Sequence, residues 1–172
     1  MTAFIALLRA VNVGGTGKLP MSELVAMCEA LGYGQVRTWI ASGNVVFSSD
    51  DDAAQVKAAL EAKLLAWAGK PVGVIVRTAG QMHAVLAANP FPDAAPDRTV
   101  AIFLDDAPAA DCLEGIRGRQ AEEIRPGERE IYVHYPGGMG QSKLVIPAAA
   151  ATGTARNMNT IAKLADMAAA LG

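Results

Sequence analysis

Along residues 2–77, apolar runs of strand length alternate with segments whose apolar residues recur at helical spacing. The order of these segments constrains the fold more than any other feature of the sequence. Residues 2–8 are apolar and rich in β-forming side chains, which predicts a buried strand. Pro20 opens a predicted helix that stops at Gly32. The remaining predicted elements are strands over 36–40 and 45–48, a helix that starts at 50–52 and stops at Gly69, and a strand over 72–77. The order βαββαβ predicts a ferredoxin-like first half.

The second half of the chain repeats this order loosely. Thr78 and Gln81 form a predicted capping box for a helix that runs to about Ala88. Because Pro90 and Pro92 follow, we expect a linker over 89–96 between halves spanning 1–88 and 97–172. The later predicted elements are a strand over 99–104, a helix over 108–117, strands over 121–125 and 130–135, and a last helix over about 157–171. We therefore expect an α+β fold whose halves form a pseudo-duplication.

Composition limits the classes of protein and partner. Hydrophobic residues make up 52% of the 172 residues and charged residues 19%, which indicates a buried core rather than disorder. The net charge is −2 and no Lys/Arg run is present, so any anion site must be local. No apolar stretch reaches the ~18 residues of a membrane span, and Arg9 interrupts the N-terminal apolar run, which argues against a signal peptide. Cys28 and Cys112 lack CxxC spacing, which predicts reduced thiols in a cytoplasmic protein.

Three windows of the sequence contain bases but no acids. Asp and Glu are absent from residues 1–22, 30–49 and 131–165. The six bases in these windows are Arg9, Lys18, Arg37, Lys143, Arg156 and Lys163. Burial in strands would exclude acids and bases equally. Because these windows keep their bases and lack only acids, they favour an anion-binding surface.

The first window includes a Gly-rich segment, residues 9–18, between the first strand and the first helix. Backbone N–H groups at Gly14 and Gly15 can approach an anion closely, and the segment leads into a helix N-terminus. It departs from the Walker A pattern G-x-x-x-x-G-K-[ST], because Asn12 stands at the first position and Leu19 at the last. The segment is therefore either one wall of an anion site, with Arg9, Asn12, Gly14, Gly15 and Lys18 as ligands, or a flexible loop without a ligand.

Other candidate ligands lie in a hairpin and in the last quarter of the chain. Ser42 and Asn44 either form the turn between two strands or add hydrogen bonds to a ligand. Ser142 and Lys143 follow a glycine-rich stretch and are predicted in a mobile flap. Arg156, Asn159 and Lys163 are spaced as one face of the last helix, opposite a packing stripe of Met158, Ile161, Ala165 and Ala168. That polar face is either a ligand contact or a solvated surface.

Four stretches together resemble the family catalogued as domain of unknown function 1697 (DUF1697). They are LLRAVNVGGTGKLPMSEL (7–24), LGYGQVRTWIASGNVVF (31–47), GQSKL (140–144) and TARNMNTIAKLADMA (154–168). Met158 departs from the tryptophan expected in many relatives. The resemblance implies an α+β fold with ferredoxin-like elements and carries no established activity.

Several kinds of chemistry are not favoured. His83 and His134 have no carboxylate or Cys at metal-ligand spacing, so neither a metal nor a cofactor is predicted. Cys28 lies on the apolar stripe of its helix, where a core thiol is expected rather than a nucleophile. Trp39, Phe47 and Tyr132 offer only a weak indication of base stacking, because the RNA-recognition string is absent.

The hypothesis that fits best is binding of a phosphate-bearing ligand, either a nucleotide-like metabolite or single-stranded nucleic acid. One alternative is an enzyme without a covalent nucleophile that acts on a phosphoryl or acyl substrate. The other is an interaction module that has no ligand. The sequence leaves the oligomeric state open.

Overall fold

A computed structural model of the chain describes residues 1–9, 19–40, 43–150 and 153–171. These residues form a mixed α+β fold with two antiparallel four-stranded sheets. The strands are β1 (Thr2–Leu8), β2 (Gly34–Thr38), β3 (Asn44–Ser49), β4 (Val74–Thr78), β5 (Thr99–Phe103), β6 (Glu123–Pro126), β7 (Glu130–His134) and β8 (Thr154–Asn157). The helices are α1 (Met21–Ala30), α2 (Ala53–Ala68), α3 (Ala79–Ala87), α4 (Pro147–Ala150) and α5 (Met158–Ala169). No helix within the described ranges has both the length and the apolar character that a bilayer crossing requires.

The first sheet has the strand order β2-β3-β1-β4. Its core face follows from the period-two alternation of β1, in which Phe4, Ala6 and Leu8 pack into one buried cluster. The cluster also contains Leu24 of α1 and Leu60 of α2, so the apolar stripes of both helices contribute to it. The predicted strands and helices of residues 2–77 are therefore confirmed, with ends shifted by at most three residues.

Side-chain caps set the starts of α2 and α3. At α2, the Asp52 carboxylate accepts the Gln55 N–H at 2.8 Å, and the Gln55 side chain accepts the Asp52 N–H at 2.9 Å. At α3, Gln81 N–H donates to Thr78 Oγ1 at 3.2 Å and Thr78 N–H donates to Gln81 Oε1 at 2.9 Å. Both are capping boxes, because each pair satisfies two backbone N–H groups that the helix leaves open. The box predicted at Thr78 is confirmed.

Strand β2 is irregular at the edge of the first sheet. Its pairing with β3 shifts register between Gly34 and Arg37, and Gln35 there has a φ of 53°. Ile40, just beyond the strand, has a φ of 52°. An extra residue in an edge strand bends it and interrupts its regular ladder. Strand β2 covers Gly34–Thr38, which is two residues earlier in the chain than the predicted 36–40.

The second sheet has the strand order β6-β7-β5-β8. Val100, Ile102 and Leu104 pack with Ile131 and Val133 in a separate buried cluster. The sequence predicts β5, β6 and β7 but misses β8, which pairs antiparallel with β5. A four-residue strand without apolar alternation has no sequence pattern that predicts it. It forms because it pairs with a strand about fifty residues earlier in the chain.

The helix predicted over residues 108–117 is wrong. Residues 110–115 form turns instead, and Gly115 and Gly118 have φ values of 75° and 71°. Arg117 then pairs with Val145 through two backbone hydrogen bonds of 3.0 and 2.8 Å. The apolar spacing of this segment favours a helix. The two glycines adopt left-handed backbone conformations, which a regular helix does not continue through.

The chain divides into two compact units. The first contains Met1–His83 and Lys163–Gly172, and the second contains Ala84–Ala162. The sequence-based boundaries at residues 88 and 97 stay a prediction.

Both cysteines are free and buried. Cys28 belongs to the core cluster of the first unit, and burial, with a smaller effect from Glu29, raises the pKa of its thiol to about 12. The expectation that Cys28 is a core thiol is therefore confirmed.

Candidate functional site

Five of the predicted ligand residues lie outside the described residues: Asn12, Gly14, Gly15, Lys18 and Ser42. Their role as ligands stays a prediction. Arg9 is described directly after β1, where it is half-buried and its N–H donates to the Gly73 carbonyl at 2.9 Å. This backbone contact joins Arg9 to the residue that precedes β4.

Asn44 is fully buried at the start of β3. Its Nδ2 donates to the Trp39 carbonyl at 2.9 Å, and the Trp39 N–H donates to the Asn44 carbonyl at 3.1 Å. The side chain thus closes the connection between β2 and β3, as asparagine does in many turns. In consequence Asn44 fixes the backbone position of Trp39, while a direct contact of Asn44 with a ligand stays a prediction.

Trp39 and Lys163 form a cation–π pair in the first unit. Lys163 Nζ lies 4.8 Å from the centroid of the Trp39 ring, within the range in which the ring quadrupole attracts an ammonium group. The Trp39 side chain remains 37% exposed. The pair therefore presents an aromatic surface and a positive charge at the same place.

Lys163 also lines a groove of about 440 Å³ beside β2. We call this the β2 groove; its lining residues are Gln35, Val36, Arg37, Lys163, Asp166, Met167, Ala170 and Leu171. Arg37 and Lys163 supply two positive charges against one negative charge from Asp166. The bulge in β2 brings Gln35 into the lining as well. The groove combines a net positive charge with an apolar wall.

Arg156 lies in β8, not on the last helix, so the predicted face through Arg156, Asn159 and Lys163 is wrong. Arg156 pairs with Ala101 of β5, and its Nη1 donates to the Ala155 carbonyl at 2.8 Å. Burial lowers the pKa of its guanidinium to about 10, which leaves it protonated at neutral pH. The helix begins only after Asn157, whose Oδ1 accepts the Thr160 N–H at 2.9 Å as an N-cap.

The rest of the α5 prediction is correct. The packing stripe of Met158, Ile161, Ala165 and Ala168 is buried, while Asn159 and Lys163 are exposed.

Ser142 and Lys143 line a polar pocket of about 160 Å³ in the second unit. We call this the Glu122 pocket; its lining residues are Gln120, Ala121, Glu122, Tyr135, Pro136, Gly137, Gly138, Gln141, Ser142 and Lys143. Ser142 Oγ donates to Glu122 Oε2 at 3.3 Å and accepts the Leu144 N–H at 3.1 Å. A predicted anion ligand, Ser142, therefore contacts a carboxylate.

The predicted site residues fall in both units. Arg9, Asn44 and Lys163 belong to the first, and Ser142, Lys143, Arg156 and Asn159 belong to the second. Lys163 meets Arg37 in the β2 groove, and Ser142 meets Lys143 in the Glu122 pocket. Convergence of all three acid-free windows on one ligand stays a prediction.

Sequence reasoning named Trp39 only as a weak stacking candidate and did not assign Glu122 to a site. Trp39 had a usable signal, because it is an aromatic residue two positions after Arg37 at the end of a strand. Glu122 had none, since it stands outside the acid-free windows and reaches Ser142 across twenty residues of chain. The stacking suggestion is wrong for Phe47 and Tyr132, which are buried. In the described part of the chain, no group of three side chains is placed to hold a metal ion.

Comparison with solved structures gives a likeness over nearly the full length. The chain is similar to the conserved bacterial protein SP0830 from Streptococcus pneumoniae, with a TM-score of 0.78 at 23% identity. The match covers 97% of this chain and 98% of that chain. At this identity the likeness shows the fold alone.

Comparison by sequence gives the family. No curated protein matches the chain. The profile of the family described as "Protein of unknown function (DUF1697)" matches residues 1–132, which include two of the four resembling stretches. The chain therefore belongs to the DUF1697 family.

Proposed function

We propose that this chain binds a phosphate-bearing ligand, either a nucleotide-like metabolite or single-stranded nucleic acid, at the β2 groove. The observation that carries the proposal is the Trp39–Lys163 pair, which adjoins the groove that Arg37 and Lys163 share. Guanidinium and ammonium groups bind phosphate through charge-assisted hydrogen bonds, and an exposed indole ring stacks on a base. Few other ligand classes need both kinds of contact side by side.

The size of the groove suits this class of ligand. A volume of about 440 Å³ falls within the range of small-molecule sites, and the apolar wall formed by Met167 and Leu171 offers contact for a base or sugar. Asp166 is the one acidic residue among the described residues of the lining, and its carboxylate can accept a hydrogen bond from a sugar hydroxyl group. The Gly-rich segment with Arg9, Gly14 and Lys18 is the proposed second wall of the site.

Isothermal titration with ATP and with a short oligo-dT tests the proposal at low salt. We expect saturable binding that Lys163→Gln weakens by about tenfold, because a hydrogen bond to a charged group is lost. Lys63→Gln is the matched control, since Lys63 is exposed on α2 and outside the groove. Absence of binding for both compounds refutes the proposal and favours the ligand-free interaction module.

The salt dependence of binding separates the two ligand types. A polymer releases one condensed counterion for each phosphate that the protein neutralises, so its affinity falls steeply with salt. A nucleotide gives a shallow slope. With a net charge of −2, we expect the shallow slope and a small ligand.

We also propose that the first half is ferredoxin-like and that the second half is its diverged duplicate. The equivalence of strand orders supports this, because β6-β7-β5-β8 repeats β2-β3-β1-β4 with four added to each number. The turns over 110–115 stand where the first half has α1. A cytoplasmic location is proposed as well, on the basis of two free cysteines in buried positions.

A further inference from the structure

Glu122 is an acidic residue with only 6% of its surface exposed, immediately before β6. Its Oε1 accepts the Gln120 N–H at 2.8 Å, and its Oε2 accepts the Ser142 hydroxyl at 3.3 Å. The Arg117–Val145 bridge ties together the two segments that carry these donors. Gly118 permits this close approach, because a Cβ there would stand 2.0 Å from the Lys143 carbonyl oxygen. The carboxylate is therefore held in a fixed place on the pocket wall.

Arg119 attracts this carboxylate but does not form a direct ion pair with it. Among the described residues, no Lys, Arg or His nitrogen lies within 4.0 Å of the Glu122 carboxylate. The neighbouring Arg119 directs its Nε to the Glu122 backbone carbonyl at 2.9 Å instead. Because neutral hydrogen bonds and Arg119 at longer range stabilise it, the carboxylate remains open to a direct contact from a cationic ligand.

The Glu122 carboxylate is ionised at neutral pH. The hydrogen bond from the Gln120 N–H holds its pKa below the usual range, and the Ser142 hydroxyl acts in the same direction. Burial raises the pKa of Tyr135, so the phenol that lines the same pocket stays neutral. The pocket lining thus combines one fixed negative charge, from Glu122, with neutral oxygen groups and the positive charge of the exposed Lys143.

The chemistry of the lining selects the class of ligand. A divalent metal ion needs several anionic or neutral ligands at close range, and no group of three acidic, His or Cys side chains is present in the described residues. A primary ammonium or guanidinium group needs one carboxylate and a few neutral acceptors, such as the Gln120 and Gln141 side-chain oxygens. A pocket of about 160 Å³ suits such a head group rather than a whole drug-sized molecule.

We propose that the Glu122 pocket is a second, separate binding site, which takes the ammonium or guanidinium group of a small amine or of a peptide side chain. Glu122 supplies the counter-charge, and Ser142 and Tyr135 orient the head group. This site is independent of phosphate binding at the β2 groove, since the two sites share no lining residue and belong to different units.

The test is an NMR titration of the full-length chain with butylammonium chloride, with butanol as the uncharged control. We expect saturable shifts at the Gln120 and Ser142 amides with butylammonium only. Glu122→Gln, which keeps the shape of the side chain, weakens this binding by about tenfold or more. Glu123→Gln removes the same charge from the adjacent exposed residue and leaves the affinity unchanged.

Two further arms make the test decisive. The peptide acetyl-Gly-Gly-Lys-Gly-Gly-amide distinguishes a peptide side chain from a small amine as the ligand. Shifts with both the peptide and butylammonium identify a site that admits a lysine side chain. Shifts with butylammonium alone identify a small-amine site. In the wild type, butylammonium also lowers the pKa of the Glu122 carboxyl measured by carbon-detected NMR, which needs no variant. Equal shifts with butanol, or binding that Glu122→Gln leaves intact, overturns the proposal.

Discussion

Two buried tyrosines differ in whether their hydroxyl groups are hydrogen-bonded. Tyr33 stacks on Phe47 with ring centroids 4.5 Å apart, but its hydroxyl has no partner among the described residues. Tyr132 is equally buried, and its hydroxyl donates to the Val85 carbonyl at 2.9 Å. The same chemical group therefore has opposite energetic consequences at the two positions, because an unsatisfied buried donor costs free energy.

Replacement of each tyrosine by phenylalanine tests this difference. We expect Tyr33→Phe to raise the free energy of unfolding by about 1 kcal/mol, because it removes an unsatisfied polar group. Tyr132→Phe lowers it by about 1 kcal/mol or more, because a carbonyl loses its donor. Urea denaturation followed by circular dichroism measures both values. Equal destabilisation by the two variants would contradict the assignment of the Tyr33 hydroxyl as unsatisfied.

At the residue scale, the sequence singled out charged residues but did not predict the contacts they make. The acid-free windows drew attention to Arg37 and Lys163, which line one groove. The contact of Lys163 with Trp39 depends on the return of α5 to the first unit, and no local pattern encodes it. The hydrogen bond from Ser142 to Glu122 is equally non-local.

At the scale of elements, strongly periodic segments were predicted well and short ones poorly. α2 starts within the predicted run of aspartates, of which Asp52 is the N-cap, and ends at its predicted glycine, Gly69, which has a φ of 72°. Strand β8 and the turns over 110–115 were missed, since their conformations depend on pairing with β5 and on two left-handed glycines. Arg156 was misplaced for the same reason, because the unpredicted strand occupies the residues assigned to the start of a helix.

The cap at the start of α5 is an element-scale test. Because Asn157 satisfies the Thr160 N–H, Asn157→Ala should lower the free energy of unfolding by about 1 kcal/mol. Asn159→Ala, two residues further in an exposed position, should change it by less than about 0.5 kcal/mol. Both variants are measured by urea denaturation at neutral pH. If the two substitutions have the same effect, Asn157 is not the cap and the helix begins elsewhere.

At the scale of the whole molecule, buried thiol and phenol groups make the free energy of unfolding decrease at alkaline pH. Burial raises the pKa of Cys28 from 9.0, and of Tyr33 and Tyr132 from 10.0, in each case to about 12. In the unfolded chain these groups lose their protons at the lower, unperturbed values. The folded state therefore binds more protons than the unfolded state between pH 9 and 12, so stability must fall as pH rises through that window.

We expect the free energy of unfolding to decrease steadily as pH rises above about 9. Urea denaturation at several pH values from neutral upwards gives the slope. Tyr33→Phe should make the slope shallower, since one of the groups responsible is removed. A stability that stays constant up to about pH 11 would show that these side chains ionise in the folded state without cost.

The fluorescence of Trp39 reports directly on whether the β2 groove binds a phosphate-bearing ligand. Trp67, exposed on α2, is the second tryptophan, so the titration uses Trp67→Phe to leave one reporter. Addition of ATP should quench Trp39 saturably, and Lys163→Gln in the same background should shift the midpoint to higher concentration by about tenfold. Unchanged Trp39 emission on addition of nucleotide, or quenching that Lys163→Gln does not alter, would contradict the account.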